Sequence, residues 1–399
     1  MKELSKIALA IQPSTTLAID SMFKQMKAEG QDVVGFGAGE PDFPTPDYIK
    51  EAGIEAIRNN DTKYTPSVGT VEVRKAVCQR LKEDCGIEYQ PAEIAVSNGA
   101  KTCVYASLRA LVNPGDEVIL PAPYWVSYIE LIQMVGGVPV VVNASEAEHF
   151  KITPEKLSAA ITPKAKCMIL NNPSNPTAMM YDRQELEAIA KVCVEKDIYV
   201  ISDEIYYRLA YDGREFTSLA AISPEIKERT LIVNGVSKSY AMTGWRIGYV
   251  AAPAPIAKVI GNYLGHCTGS PSSISQAAAA EALSASQETV EKMREAFEER
   301  RNYMVERMNQ IEGVSCIKPE GAFYVMMNIS KVFGKELFGH VIKDADDFGS
   351  MFLKYGKVAV VPGTSFGAPE FIRWSYATSM ENIKAGLDRL ECFLSGKEV

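Results

Sequence analysis

The sequence predicts an α/β protein: a mostly parallel sheet covered by helices on both faces, followed by a smaller α+β body. Three observations carry this reading. Six short runs rich in β-branched and other apolar residues recur at 93–96, 117–120, 138–142, 166–170, 198–202 and 230–233. Helix-like stretches at 101–111, 126–135 and 182–196 separate several of them. Strands so apolar are those buried on both faces, since a half-exposed strand would alternate. From about residue 286 the pattern changes to one long charged helix, 286–311. After it come a strand-like run at 322–329, a helix at 345–355, short runs at 358–361 and 371–376, and a last helix from Ser379.

The expected division is therefore a large body over residues 46–285 and a smaller one over 286–399. Residues 1–45 hold a helix, a short strand at Val33-Val34 and a Pro/Gly-rich stretch, and are expected to pack with the smaller body. Charged residues at 291–307 read as a solvated helix face with i,i+4 pairs. Met326-Met327, alternating with Phe323 and Val325, reads as core.

Composition excludes several classes of function. The 399 residues carry a formal charge of −8, which disfavours a nucleic-acid or anionic-membrane partner. No apolar run approaches the roughly 20 residues needed to span a bilayer. The N-terminus lacks the apolar core of a signal peptide, so the chain reads as cytoplasmic. Eight scattered cysteines form no CxxC pair, and the three histidines stand far apart in sequence, leaving little for a zinc site or a Ser-His-Asp triad. Gly35-Phe36-Gly37-Ala38-Gly39 lacks the spacing of a dinucleotide loop, and Pro41, Pro44 and Pro46 stand where its helix should begin.

In an open α/β sheet, ligands bind beyond the C-terminal strand ends. Three polar clusters fall there: Asn171 to Pro176, Asp203-Glu204-Ile205-Tyr206, and Asn234-Gly235-Val236-Ser237-Lys238. Any one alone would read as a loop group capping the next helix. Three on successive strands bring a carboxylate, an amide, a phenol and an amine to one rim. A lysine there loses hydration, which lowers its pKa and frees it as a nucleophile.

The run Gly235-Val236-Ser237-Lys238-Ser239-Tyr240-Ala241-Met242-Thr243-Gly244-Trp245-Arg246-Ile247-Gly248 resembles the pyridoxal-phosphate attachment signature of class I aminotransferases. The resemblance covers nearly the whole chain, through Ala38 to Phe43, Tyr64, Gly69, Pro123-Tyr124-Trp125, Asn171 to Pro176, Ser202 to Tyr206, Gly321 to Tyr324, and Arg373 to Ala377. Within that family the chain is most similar to the bacterial aspartate aminotransferases of the thermophile-type subgroup. The resemblance implies fold type I, with a mostly parallel seven-stranded sheet in the large domain, a homodimer, and pyridoxal 5'-phosphate as cofactor. It implies transfer of the amino group of L-aspartate to 2-oxoglutarate by ping-pong kinetics. Alternatives are an aminotransferase for alanine, aromatic amino acids or prephenate, and a β-lyase on the same fold.

The implied roles follow residue by residue. Lys238 would carry the cofactor covalently and act as acid and base. Asp203 would face the pyridine nitrogen, and Asn175 and Tyr206 the ring's phenolic oxygen. Trp125 would stack on the ring. Gly99, Ala100 and Lys101, opening a helix after a strand, would cradle the phosphate with Ser237 and Arg246. Tyr64 would reach the phosphate across the dimer interface. Arg373 and the Gly39 N–H would hold the substrate α-carboxylate, and Lys101 with Thr16 the distal one. Many relatives carry serine at the position of Gly235, so backbone or water is expected to serve there.

Overall fold

The computed structural model describes residues 2–398. Its largest sheet has seven strands, in spatial order Ile94–Ser97, Gly248–Ala251, Thr230–Gly235, Tyr199–Asp203, Ala165–Asn171, Glu117–Ala122 and Val138–Asn143. The strand Gly248–Ala251 runs antiparallel to both neighbours. The remaining pairs are parallel. Six strands match the apolar runs. The seventh, Gly248–Ala251, is hidden in the sequence because it is only four residues long, between the left-handed Arg246 and Pro253.

The strands from Thr230 to Gly235 and from Tyr199 to Asp203 are buried almost throughout, while the edge strand Val138–Asn143 alternates between exposed and half-buried. That contrast is the one expected between a central strand, covered on both faces, and an edge. One covering layer includes helix Ala100–Leu111, whose Cys103, Val104, Ala106, Leu108 and Leu111 join the core under the sheet. On the other face, helix Arg183–Glu195 buries Leu186, Ile189, Ala190 and Cys193. Its start is fixed by a reciprocal cap: Asp182 Oδ1 accepts from Glu185 N at 2.8 Å, and Glu185 Oε2 accepts from Asp182 N at 2.8 Å.

A second sheet of four strands follows, in the order Val361–Pro362, Phe371–Ser375, Tyr324–Asn328 and Ser315–Cys316, all antiparallel. Helices Glu288–Met308, Ala345–Gly356 and Met380–Leu394 pack with it around Phe297, Phe323, Phe352, Trp374 and Phe393, each fully buried. Met327 is buried there as well, while Met326 is buried in a separate cluster with Phe150, Met179 and Phe371. Val34–Gly35 pairs in parallel with Val358–Ala359, which stitches the N-terminal segment to this body.

The charged helix departs from expectation at one residue. Val290, Met293, Phe297, Arg301, Met304 and Met308 form its buried stripe, at steps of three and four. Arg301 therefore occupies a core position and not the solvated face. Its guanidinium forks onto Asp212 at 2.7 and 2.9 Å and donates to Pro319 O at 2.7 Å. Arg294 and Glu298 do form an i,i+4 pair, at 2.5 Å, though a half-buried one. All eight cysteines are free. Among the described residues no helix is long and apolar enough to cross a membrane, and no cluster of metal-ligating side chains occurs.

Candidate active site

The parallel strands all end on one edge of the sheet, and Asn171 and Asp203 are last residues of their strands, in direct register with one another. Asn171 organises the rim: its Nδ2 donates to Asp203 O at 2.8 Å, and its Oδ1 accepts from Asn175 N at 2.7 Å. The rim opens into a cavity of about 420 Å³. Thr16, Gly39, Ala100, Lys101, Trp125, Asn175, Asp203, Tyr206, Ser237, Lys238, Arg246 and Arg373 all line it, so the fold gathers residues spread over most of the chain.

Lys238 lies just beyond the strand Thr230–Gly235 and points into the cavity, where Nζ donates to Gly39 O. Loss of water pulls its amine down to about 8, with Glu40 opposing and the Arg246 and Arg373 cations assisting. Asp203 is buried, and desolvation pushes its carboxyl up to about 6. Two hydrogen bonds resist that rise: Tyr128 OH donates to Oδ2 at 2.6 Å, and Ile205 N–H to Oδ1 at 3.2 Å.

The mouth facing the helix Ala100–Leu111 is built for an anion. Gly99 caps that helix at φ 90°, and the N–H groups of Ala100 and Lys101 have no acceptor among the described residues. Arg246 lies beside them, donating to Thr243 O at 2.8 Å. Gly235 and Gly248 sit beneath. A Cβ on Gly235 would come within 2.7 Å of Ile247 O and 2.9 Å of Gly248 Cα. One on Gly248 would press into the backbone of Gly99 and Ala100, 2.8 Å from Ala100 Cα. The absence of a serine at position 235 thus has a steric reason: the strand and the loop meet backbone to backbone.

At the other end, Arg373 is buried between the rings of Tyr324 and Phe366, with its guanidinium carbon 4.5 and 5.0 Å from their centroids. Nη1 donates to Asn175 Oδ1 at 2.9 Å and Nη2 to Gly37 O at 2.8 Å, while Nε has no partner. Burial lowers its pKa. Lys101 stays exposed at its helix's first turn, with Nζ 5.0 Å from the Trp125 ring, and partial desolvation and Arg246 lower its pKa. Ser14 and Thr16 line the same region, their hydroxyls 3.4 Å apart.

Two predicted residues stand outside the lining. Gly99 lies one residue behind it, and Tyr64 is fully exposed at 101%. Conversely, the cavity contains Tyr128, Tyr324, Glu40 and Asp20, which were not anticipated as site residues. Tyr324 OH is 2.9 Å from Tyr206 OH. Its approach to Arg373 was readable from register once strands are paired: Met326 faces Arg373, so Tyr324 is its diagonal neighbour. Tyr128 follows Trp125 by three residues, the helical spacing that brings two side chains together.

Comparison with known proteins places this geometry. The model of the family "Aminotransferase class I and II" matches residues 31–390. The chain is 46% identical over 395 residues to an aspartate aminotransferase of Geobacillus stearothermophilus, covering 99% of this chain and 100% of that one. It is 45% identical over 398 residues to an aspartate/prephenate aminotransferase of Cereibacter sphaeroides, covering 99% and 100%. The solved structure of Thermus thermophilus aspartate aminotransferase with maleate superposes with a TM-score of 0.92 at 40% identity, covering 98% of this chain and 99% of that one.

Proposed function

The chain belongs to the class I and II aminotransferases, and from that premise we propose that it moves the amino group of L-aspartate to 2-oxoglutarate with pyridoxal 5'-phosphate as its cofactor. The observation that carries the reading is one cavity lined by an amine, Lys238, a buried carboxyl, Asp203, and two further cations, Arg373 and Lys101. The residues fit the cofactor. Behind the anion mouth Gly99, Gly235 and Gly248 pack too closely to admit a Cβ, and the free N–H groups of Ala100 and Lys101 with Arg246 suit a phosphate.

When bound, the cofactor supplies an electron-withdrawing ring that accepts the electron pair left on the substrate's α-carbon. The chain's own groups do the rest. Asp203, buried in the cavity wall, would face the pyridine nitrogen, where an ionised carboxylate would favour that nitrogen's protonated form. Lys238 Nζ, pulled down to about 8, would take the proton from the α-carbon of the bound amino acid and deliver it to the cofactor side, so that the nitrogen stays with the cofactor and the substrate leaves as the oxo acid. Trp125, Asn175 and Tyr206 line the cavity, where Trp125 would supply a flat face for the ring and Asn175 and Tyr206 would offer hydrogen bonds to its phenolic oxygen. Arg373 grips the α-carboxylate with the Gly39 N–H, and Lys101 with Thr16 the distal carboxylate. Ser237 assists at the phosphate.

We read residues 46–285 as the cofactor-binding body and 286–399 as a closing body, with 1–45 packed on the latter. The active unit in this reading is a homodimer in which Tyr64, fully exposed in one chain, completes the phosphate site of its partner. Mixing Lys238→Ala chains with Tyr64→Ala chains then restores activity, because one hybrid site receives both intact residues. No restoration overturns the shared site.

The decisive experiment is steady-state transamination by the loaded enzyme. Aspartate with 2-oxoglutarate is expected to give parallel double-reciprocal lines, and Lys101→Ala to lower kcat/KM for aspartate far more than for alanine. Equal losses on both donors remove the assignment of Lys101 and Thr16 to a distal carboxylate. Prephenate is a second acceptor of interest, because it too carries two carboxylates and the Cereibacter sphaeroides relative is named for it. Ammonia and pyruvate released from cysteine would instead indicate a lyase.

A further inference from the structure

Asp203 and Trp125 lie on different elements, yet one side chain touches both. Tyr128 is buried on the helix Ser127–Met134. Its OH donates to Asp203 Oδ2 at 2.6 Å. Its ring meets Trp125 edge-on, with centroids 5.2 Å apart and planes at 87°. The backbone locks the same pair, since Tyr128 N donates to Trp125 O at 2.9 Å.

We propose that Tyr128 is a positioning residue of the reaction, which fixes the Asp203 carboxylate and the Trp125 ring relative to each other and keeps that carboxylate ionised. The proposal rests on the reading that Asp203 meets the pyridine nitrogen. A carboxylate has two oxygens, each with two lone-pair sites. Ile205 N–H occupies one site on Oδ1 and Tyr128 OH one on Oδ2, so the plane of the group is set before any ligand arrives. A buried tyrosine merely seeking a partner could have met a backbone carbonyl. Here the phenol meets a carboxylate of the cavity wall that burial drives toward its neutral form. Burial and the neighbouring carboxylate raise the phenol's own pKa well above normal, so it stays a donor. The other titratable groups around Asp203 are Lys238, Tyr206, Glu204 and Cys103; among them Lys238 alone favours the ionised form.

Tyr128→Phe keeps the ring and removes the donor. In cofactor-free protein, the protonation of Asp203 is followed by infrared difference spectroscopy, with Asp203→Asn identifying the band. A hydrogen bond to a charged group is strong enough that its loss is expected to move the Asp203 titration upward by about 1 unit or more. In the loaded enzyme the same variant is expected to bind cofactor more weakly and to shift the pH dependence of its visible absorption. Site-specific replacement of Tyr128 by a fluorinated tyrosine, a stronger donor, should move the Asp203 titration downward. It also serves as the test should the Phe variant fail to fold. An unmoved Asp203 titration in these variants overturns the role of Tyr128 and leaves the reading of Asp203 standing. If Asp203→Asn itself leaves cofactor binding and absorption unchanged, it is the reading of Asp203 that fails.

Discussion

Replacing Gly99 by alanine tests the anion cradle at its tightest point. Gly99 has φ 90° and ψ 159°, a region that only glycine occupies comfortably, and entering it costs another residue about 1–3 kcal/mol. A Cβ there would stand 2.8 Å from Arg246 Cζ and nearer still to Nη2, so the guanidinium must move. Losing one charge-assisted hydrogen bond to a phosphate costs about 1.5–3 kcal/mol. That corresponds to an affinity about 10- to 150-fold weaker. Equilibrium dialysis of the cofactor-free variant against pyridoxal 5'-phosphate and against pyridoxal separates the phosphate contribution from the rest. The phosphorylated form should weaken by that factor and the unphosphorylated form should not. In the double variant Gly99→Ala/Arg246→Ala the two losses should fall short of additivity, since both remove the same contact. Wild-type affinity in Gly99→Ala, or an equal loss for pyridoxal, would refute the argument.

Further consequences follow from the same site and from the core. In cofactor-free protein, modification of Lys238 by an amine reagent, read on its own peptide by mass spectrometry, should rise with pH and level off above about 8. An ordinary lysine continues rising to about 10.4. Glu40→Gln removes a charge that raises the Lys238 pKa, so the levelling point should move to lower pH; movement upward would contradict the assigned sign. Phe297→Ala opens a cavity in the core beside Phe43 and Phe323, both 5.4 Å away, and should cost about 3–5 kcal/mol in urea unfolding. A loss under about 1 kcal/mol would mean that the site collapses to fill the space.

Much of this arrangement was legible in the order of residues. Three of the six apolar runs end in polar clusters, and these were enough to place Asn171, Asp203 and Lys238 on one rim, because parallel strands share an edge and ligands meet their C-terminal ends. What escaped was set by tertiary contact. Gly248–Ala251 has four residues and no alternation to show, and is a strand because two neighbours pair with it. Arg301 looks like one more charge on a solvated helix, and only the stripe it shares with Phe297 and Met304 reveals a buried position. Tyr128 and Tyr324 are apolar-looking positions whose hydroxyls acquire meaning from partners 75 and 118 residues away.

The glycine floor has one more consequence. Where Gly99, Gly235 and Gly248 meet, no side chain exists to be lengthened, shortened or recharged, so the backbone behind the anion mouth offers no room for gradual change. An anion held at the Ala100 and Lys101 N–H groups would be fixed by backbone, not by exchangeable side chains. Variation among substrates must then be absorbed by side chains around the cavity, such as Lys101 and Thr16, that stand free to be exchanged. The molecule resembles a vice with one immovable jaw, and any effort to retune it should begin at the other.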